Sequence, residues 1–164
     1  MFLRGFFVIL DVMQIDEKHL KKFILDSGLI KPDDIENSEK KAEETKQKLG
    51  DVLLSEGKIS ESDLKRMEAF VLGIPFVDLS KQKIDLPVLS LIPEAIARNY
   101  NIVAYKQGET GLEVAMLDVD DLPVIDFVKK RLGVRILPRL TDSNSMKLVL
   151  VQYRKSLQVE FGNI

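Results

Sequence analysis

The sequence predicts an α+β chain in two parts. An N-terminal helical subdomain of two helical-hairpin repeats is followed by a small α/β subdomain with a β-hairpin and a βαβ unit. Three observations carry this reading. The first is an internal repeat: laying Gly28 on Gly57 also lays Leu20 on Leu49, Phe23 on Val52, Ile24 on Leu53, Leu25 on Leu54, Ile30 on Ile59 and Ile35 on Leu64. The second is a break at Leu72-Gly73-Ile74-Pro75, after which helical spacing gives way to short apolar runs. The third is a pair of such runs separated by Gly108 and Gly111, followed by a helical stretch and another apolar run.

Each repeat reads as an amphipathic helix, a glycine stop and a second helix. One hairpin of this length cannot bury its apolar face alone, so two are expected to stack. Asp16 is placed to cap the first helix and Gly28 to end it. Pro32 suits the first turn of the second helix, where its missing N–H costs nothing. In the second copy Ser60-Glu61-Ser62-Asp63 resembles a capping box with Asp63 in the usual Glu position. The stretch from Asp33 to Lys48 is charged almost throughout. It reads as a solvated helix with i,i+4 charge pairs and a narrow buried seam at Ile35 and Ala42.

In the break, Gly73 permits a turn that a side chain would block, and Pro75 fixes φ and removes a donor. Phe76 to Leu79 is a short β-type run. Leu89 to Tyr100 predicts a short helix interrupted near Pro93. Ile102 to Tyr105 and Leu112 to Met116 predict an antiparallel hairpin. Asp118 to Asp121 offers N-caps for a helix with Pro123 in its first turn and Val124, Ile125, Val128 and Leu132 on one side, stopped by Gly133. Val134 to Leu137 is the next strand, which closes a right-handed βαβ unit. Thr141 or Asp142 caps a last helix with Met146, Val149, Leu150, Tyr153 and Leu157 at helical spacing. The expected organisation is a leader over 1–12, the helical repeat subdomain over 13–70, the α/β subdomain over 71–157, and the start of a linker over 158–164. The leader is either an upstream-start extension or a short apolar tag. Its apolar run, Phe6 to Leu10, is far short of the ~20 residues a membrane span needs.

Composition narrows the function. The chain has 164 residues, 45% hydrophobic and 30% charged, as in ordinary globular proteins. Its 24 basic and 26 acidic residues leave a net charge of −2, without the basic excess of a nucleic-acid binder. It has no Cys, so neither disulfides nor thiol chemistry enter, and a reducing, cytoplasmic setting fits. One His and no Cys assemble neither a catalytic triad nor a metal site. No Gly-x-x-x-x-Gly-Lys-Ser/Thr phosphate loop occurs. Gly108-Glu109-Thr110-Gly111 is a hairpin turn. Asp118, Asp120, Asp121 and Asp126 fail the EF-hand pattern and are better used as helix caps. No enzyme and no cofactor are expected.

The order Leu72-Gly73-Ile74-Pro75-Phe76-Val77-Asp78-Leu79, Leu91-Ile92-Pro93-Glu94 and Leu112-Glu113-Val114-Ala115-Met116 resembles the N-terminal region of the assembly ATPases of type II secretion and type IV pili (the GspE/PilB kind). The resemblance runs from about Asp16 to Leu157; Val119 stands where that family often has Pro. It implies a non-catalytic docking and regulatory module that precedes the ATPase motor in cis and tethers it to the cytoplasmic domain of an inner-membrane platform protein. The chain itself would sit at that membrane through its partner, without inserting.

The repeat is also similar to the tandem motif of the cyclic-di-GMP-binding (MshEN-like) domain of some of these ATPases. That motif begins Arg-Leu-Gly, runs through aliphatic residues to a Gly, and ends Leu-x-x-x-Leu-x-x-Gln. The resemblance makes Lys48, Leu49, Gly50, Leu53, Leu54, Gly57, Ile59 and Leu64 the candidate ligand-binding residues. Lys48 replaces the Arg, and Val71 stands at the Gln position. The first copy departs further, with His19, Lys21 and Ala42 at the Arg, Gly and Gln positions. Arg offers a flat fork that stacks on a base and grips phosphate twice, whereas Lys is a point charge. The aliphatic positions serve a helical core whether or not a ligand binds. Two alternatives therefore stand beside docking: a cyclic-di-GMP sensor, and a metabolite-binding enzyme of unrecognised type.

Overall fold

The computed structural model describes residues 15–118 and 122–161. The leader, Asp120 and Asp121 as helix caps, and Gly162 to Ile164 lie outside them. The chain forms two compact units, the first ending at Ile74 and the second beginning at Pro75.

The first unit is four helices: α1 (Glu17–Ser27), α2 (Pro32–Thr45), α3 (Leu49–Ser55) and α4 (Glu61–Leu72). The repeat is visible as two hairpins, α1–α2 and α3–α4. Asp16 caps α1 by accepting the Lys18 N–H at 3.0 Å. Ser60 caps α4 by accepting the Asp63 N–H at 3.1 Å, and its hydroxyl donates to the Asp63 carboxylate at 2.7 Å. Gly28 and Gly57 end or follow the first helix of each hairpin at φ +67° and +69°, with nothing within 4 Å of an added Cβ. Backbone conformation is the reason for glycine there, since a Cβ disfavours this region.

The core of this unit is Leu20, Ile24, Ile30, Ile35, Leu49, Leu53, Ile59, Leu64 and Met67. Eight of these nine are four matched pairs across the repeat: Leu20 with Leu49, Ile24 with Leu53, Ile30 with Ile59, Ile35 with Leu64. Each copy thus supplies one half of a shared core, and each such side chain stabilises by about 1.5–3 kcal/mol on full burial. As expected, α2 is charged outside and buries Ile35 and Ala42; it also buries Ser38, which the expected seam did not include. Its Glu36–Lys40 pair spans 3.3 Å. Ser38, fully buried, donates to Glu56 at 2.8 Å. The Glu56 carboxylate also meets Lys41 at 3.0 Å and Lys58 at 2.9 Å, tying the flank of α2 to the α3–α4 turn. These donors, Lys58 first, hold the Glu56 carboxyl down at about 2.

The second unit contains α5 (Leu86–Leu89), α6 (Glu94–Tyr100), β1 (Ile102–Gly108), β2 (Gly111–Met116), α7 (Leu122–Leu132), β3 (Ile136–Leu140) and α8 (Ser143–Phe161). The sheet order is β1-β2-β3. β1 and β2 pair antiparallel, with a register shift between Ala104 and Lys106. β2 and β3 pair parallel, Leu112 opposite Ile136 and Met116 opposite Leu140. The hairpin and the βαβ unit are therefore both present. The hairpin turn places Gly111 at φ +149°, where an added Cβ would lie 2.5 Å from the Arg135 carbonyl oxygen. That carbonyl accepts the Leu112 N–H at 2.8 Å. Leu112, Val114 and Met116 of β2 are buried together with Leu140, Val128, Met146 and Val149.

Three boundaries differ from expectation. The interruption expected near Pro93 is wider than a kink: α5 begins earlier, at Leu86, and ends at Leu89, and Pro93 is the N-cap residue from which α6 starts afresh. The third strand begins at Ile136 and reaches Leu140, since Gly133 at φ +63° ends α7 and two further residues carry the chain to the sheet. Phe76 to Leu79 makes only a single parallel bridge, Phe76 with Leu140. Leu140 donates to the Pro75 carbonyl at 3.0 Å and accepts from Val77 at 2.9 Å. Asp78 then takes the Ser80 N–H on its own side chain at 2.9 Å, which turns the chain away from the sheet. Buried Thr141 and Ser145 hold this segment in place: Thr141 donates to the Val77 carbonyl at 2.7 Å, and Ser145 accepts the Leu79 N–H at 3.1 Å. Asp142 caps α8 through the Ser145 N–H at 2.8 Å. α8 runs on to Phe161, through part of the stretch read as linker.

Candidate functional site

The residues singled out by the tandem motif separate into two groups in space. Leu49, Gly50, Leu53, Ile59 and Leu64 are buried. Leu53 is fully enclosed and Leu64 is 2% exposed. Gly50 lies within α3, and a Cβ added there would stand 3.1 and 3.3 Å from the two δ-carbons of Leu64. The face that glycine leaves open is thus filled by Leu64 of α4. Lys48, Leu54 and Gly57 are exposed. Lys48 is the N-cap residue of α3 at φ −72°, and its side chain makes no cap bond.

The five positions that depart from the motif line two clefts of the first unit. One cleft, of about 370 Å³, is walled by the start of α1, the later turns of α2 and the start of α3, and Lys21, Ala42 and Lys48 all line it. The other, of about 360 Å³, lies between α1 and the end of α4 and holds His19 and Val71. Positions that match the motif are mainly packing residues, and positions that differ are the cleft walls.

The chemistry of each cleft follows from its lining. In the first, Lys21 is paired with Glu39. Burial pushes the Glu17 carboxyl up, and Lys48 opposes that shift. Lys18 and Lys46 add cations, and Glu43 adds a further anion. The cleft is zwitterionic, so a polyanion entering it would have to displace Glu39 from Lys21. The second cleft is floored by Phe23 and Phe70, whose rings stack at 4.5 Å with 19° between planes. Phe70 is 69% exposed. Lys22, Asp26 and His19 also line it, with the His19 ring 2.7 Å from the Asp16 carboxylate. The aromatic stack was not read from the sequence; Phe70 has no counterpart in the repeat, and only the contact between α1 and α4 shows it. No cluster among the described residues has the His, Cys, Asp and Glu groups to hold a metal ion. No described helix is long and apolar enough to cross a membrane.

Comparison with known proteins agrees with this architecture. The MshEN domain family matches residues 72–159, just over half of the chain. The type IV pilus assembly ATPase PilB of Thermus thermophilus is 27% identical over 150 residues, which covers 90% of this chain and 17% of that protein. PilB of Myxococcus xanthus is 25% identical over 118 residues, 70% of this chain and 21% of that protein. The chain thus spans about a fifth of the length of these relatives. The solved structure of MshE with cdg has the same fold, with a TM-score of 0.66 at 24% identity, covering 83% of this chain and 96% of that one. The N-terminal domain of XpsE follows at a TM-score of 0.55 and 20% identity, covering 83% and 94%. Leu72 to Leu79, Leu91 to Glu94 and Leu112 to Met116, which carried the resemblance to secretion and pilus ATPases, all fall inside the matched region. The chain belongs to the MshEN domain family.

Proposed function

We propose that this chain is a non-catalytic docking and regulatory module of a secretion or type IV pilus ATPase, tethering a motor to the cytoplasmic domain of an inner-membrane platform protein. One observation supports it most. The family match covers the second unit, whose interior is closed by packing and by backbone hydrogen bonds, while the sequence carries no phosphate-cradling loop. What remains for such a unit is its surface. The test is binding of the purified chain to the platform protein's cytoplasmic domain by calorimetry. Binding lost on deleting residues 75–161 supports the reading; absence of binding by the whole chain refutes it. ATP turnover by the chain, abolished by a point substitution within it, would refute the non-catalytic part.

The fold shared with MshE, solved with cdg, raises the second reading, a cyclic-di-GMP sensor. Against it stand the cleft walls. Lys48 in place of Arg, Lys21 paired with Glu39 in place of Gly, and Ala42 and Val71 in place of Gln remove the fork, the close approach and the amides that would hold a guanine nucleotide. We infer weak binding or none. Calorimetry with cyclic di-GMP decides: micromolar or tighter affinity, weakened by Lys48→Glu at the cleft wall, would favour the sensor.

A further inference from the structure

A groove of about 720 Å³ runs over the second unit between the 80–85 segment, α5 and α8. Its floor is apolar. Ile84 and Leu89 are buried beneath it, while Leu148 and Val151 of α8 are 41% and 45% exposed along it. Leu148, Val151 and Lys155 recur at helical spacing on a different face from Met146, Val149 and Tyr153, which are buried in the core. α8 therefore has two apolar faces, and folding of this unit covers only one of them.

The groove is a built feature. Gln152 of α8 clips the 80–85 segment at two points: its carbonyl oxygen accepts the Ile84 N–H at 2.9 Å, and its amide donates to the Gln82 carbonyl at 2.8 Å. With both ends of that amide occupied, Gln152 fixes the wall. The rim is basic. Lys81 and Lys83 stand on one wall and Lys155 on the other, against Asp85 alone among acidic lining residues. None of the three lysines forms an ion pair with a described residue.

We propose that this groove takes an amphipathic helix of a partner protein, its apolar stripe lying on Leu148 and Val151 and its acidic flanks facing Lys81, Lys83 and Lys155. The charge is fixed by the three lysines, because a basic helix would be repelled from both walls at once. The shape is fixed by α8: a straight helix presenting residues three and four apart accepts another helix at about 8–10 Å between axes. A concave floor suits a helix better than a flat bilayer surface, which would meet only the rim. The inference rests on the docking reading for the existence of a partner, and adds the place and the chemistry.

The test is a titration of the whole isotope-labelled chain by two-dimensional NMR with two synthetic helical peptides of about 18 residues, long enough to hold helical structure. Both carry the same leucine stripe; one is flanked by Glu and the other by Lys. The Glu peptide is expected to shift the amides of Ile84, Leu148 and Val151 and to bind at least about tenfold more tightly than the Lys peptide. The surface triple variant Lys81→Glu, Lys83→Glu, Lys155→Glu is expected to reverse that preference. Equal affinities for both peptides, shifts confined elsewhere, or an unchanged preference in the triple variant would overturn the proposal. Phosphatidylglycerol vesicles, run in parallel, would overturn it if they shift the groove residues while the Glu peptide does not. The platform protein's cytoplasmic domain is the last arm. If it binds without touching the groove, the proposal fails and the docking reading stands. If it does not bind while the Glu peptide does, the docking reading fails and the groove assignment stands.

Discussion

Leu53 and Leu54 are adjacent, both belong to the tandem motif, and they should respond to truncation very differently. Leu53 is fully enclosed within the core shared by the two hairpins. Replacing it with Ala removes three carbons from that core, about 2.4 kcal/mol of transfer free energy at ~0.8 kcal/mol per methylene. It also leaves a cavity between helices that relax only partly, which brings the total to about 3–4 kcal/mol. Leu54 is 37% exposed, and water can fill the space its side chain leaves. The remaining burial scales the loss down to about 1–1.5 kcal/mol. For a unit of this size, each kcal/mol moves the midpoint by about 4–8 °C, so Leu53→Ala should lower Tm by about 12–30 °C and Leu54→Ala by about 4–12 °C. Urea denaturation followed on the amide signals of α1 to α4 would measure both without interference from the second unit. A Leu53→Ala protein within about 0.5 kcal/mol of the parent would refute the core assignment, because no buried leucine is that cheap to truncate. It would also return Leu53 to the list of ligand contacts. Leu53→Asp places an unpaired charge in the same spot and should unfold the hairpins outright.

Gly111→Ala should cost about 2–5 kcal/mol, since it combines a strained φ with a Cβ 2.5 Å from the Arg135 carbonyl; a Tm within a few degrees of the parent would contradict the hairpin geometry. Tyr153→Phe should cost about 1–3 kcal/mol, because the Tyr153 hydroxyl lies 3.0 Å from the Leu89 carbonyl and 2.8 Å from that of Ile92, both in the interior; an unchanged urea midpoint would mean that other groups satisfy them. The Glu56 carboxyl is held at about 2 in the fold against an ordinary 4.5, so its contribution is complete above about pH 4.5 and drains away as pH falls toward 2. Glu56→Gln should flatten that part of the stability–pH curve, and parallel curves for parent and variant would discount the cluster around Ser38, Lys41 and Lys58.

The helical half was readable because its physics is local and said twice. Leu20, Ile24, Ile30 and Ile35 recur as Leu49, Leu53, Ile59 and Leu64, and the stops at Gly28 and Gly57 and the caps at Asp16 and Ser60 act within a turn of their own sequence. The hairpin was readable for the same reason, with Gly108 and Gly111 beside two apolar runs. The extent of β3 and the fate of Phe76 to Leu79 were not, because both are decided by partners distant in sequence: β2, Pro75 and Val77 for the strand, and Leu140, Thr141 and Ser145 for the segment. The candidate site was legible as a list of residues but not as a place. Nothing in the spacing of Lys21, Ala42 and Lys48 says that they wall one cleft, and nothing in Leu148 or Val151 says that α8 has a second apolar face.

The single bridge at Leu140 has a mechanical meaning. The chain enters the second unit along Pro75 to Val77, parallel to the end of β3, and leaves it through α8 directly beyond that strand. A pull between entry and exit therefore drags the two parallel segments past each other. Their hydrogen bonds are loaded in shear and must fail together, where an antiparallel arrangement would let them unzip singly. Two short bonds and the hydroxyls of Thr141 and Ser145 thus act as a latch against stretching. Val77→Pro, which deletes one of the donors, should lower the unfolding force in a single-molecule pulling experiment, and an unchanged force would exclude the latch. The latch sits where a load applied at Pro75 first arrives.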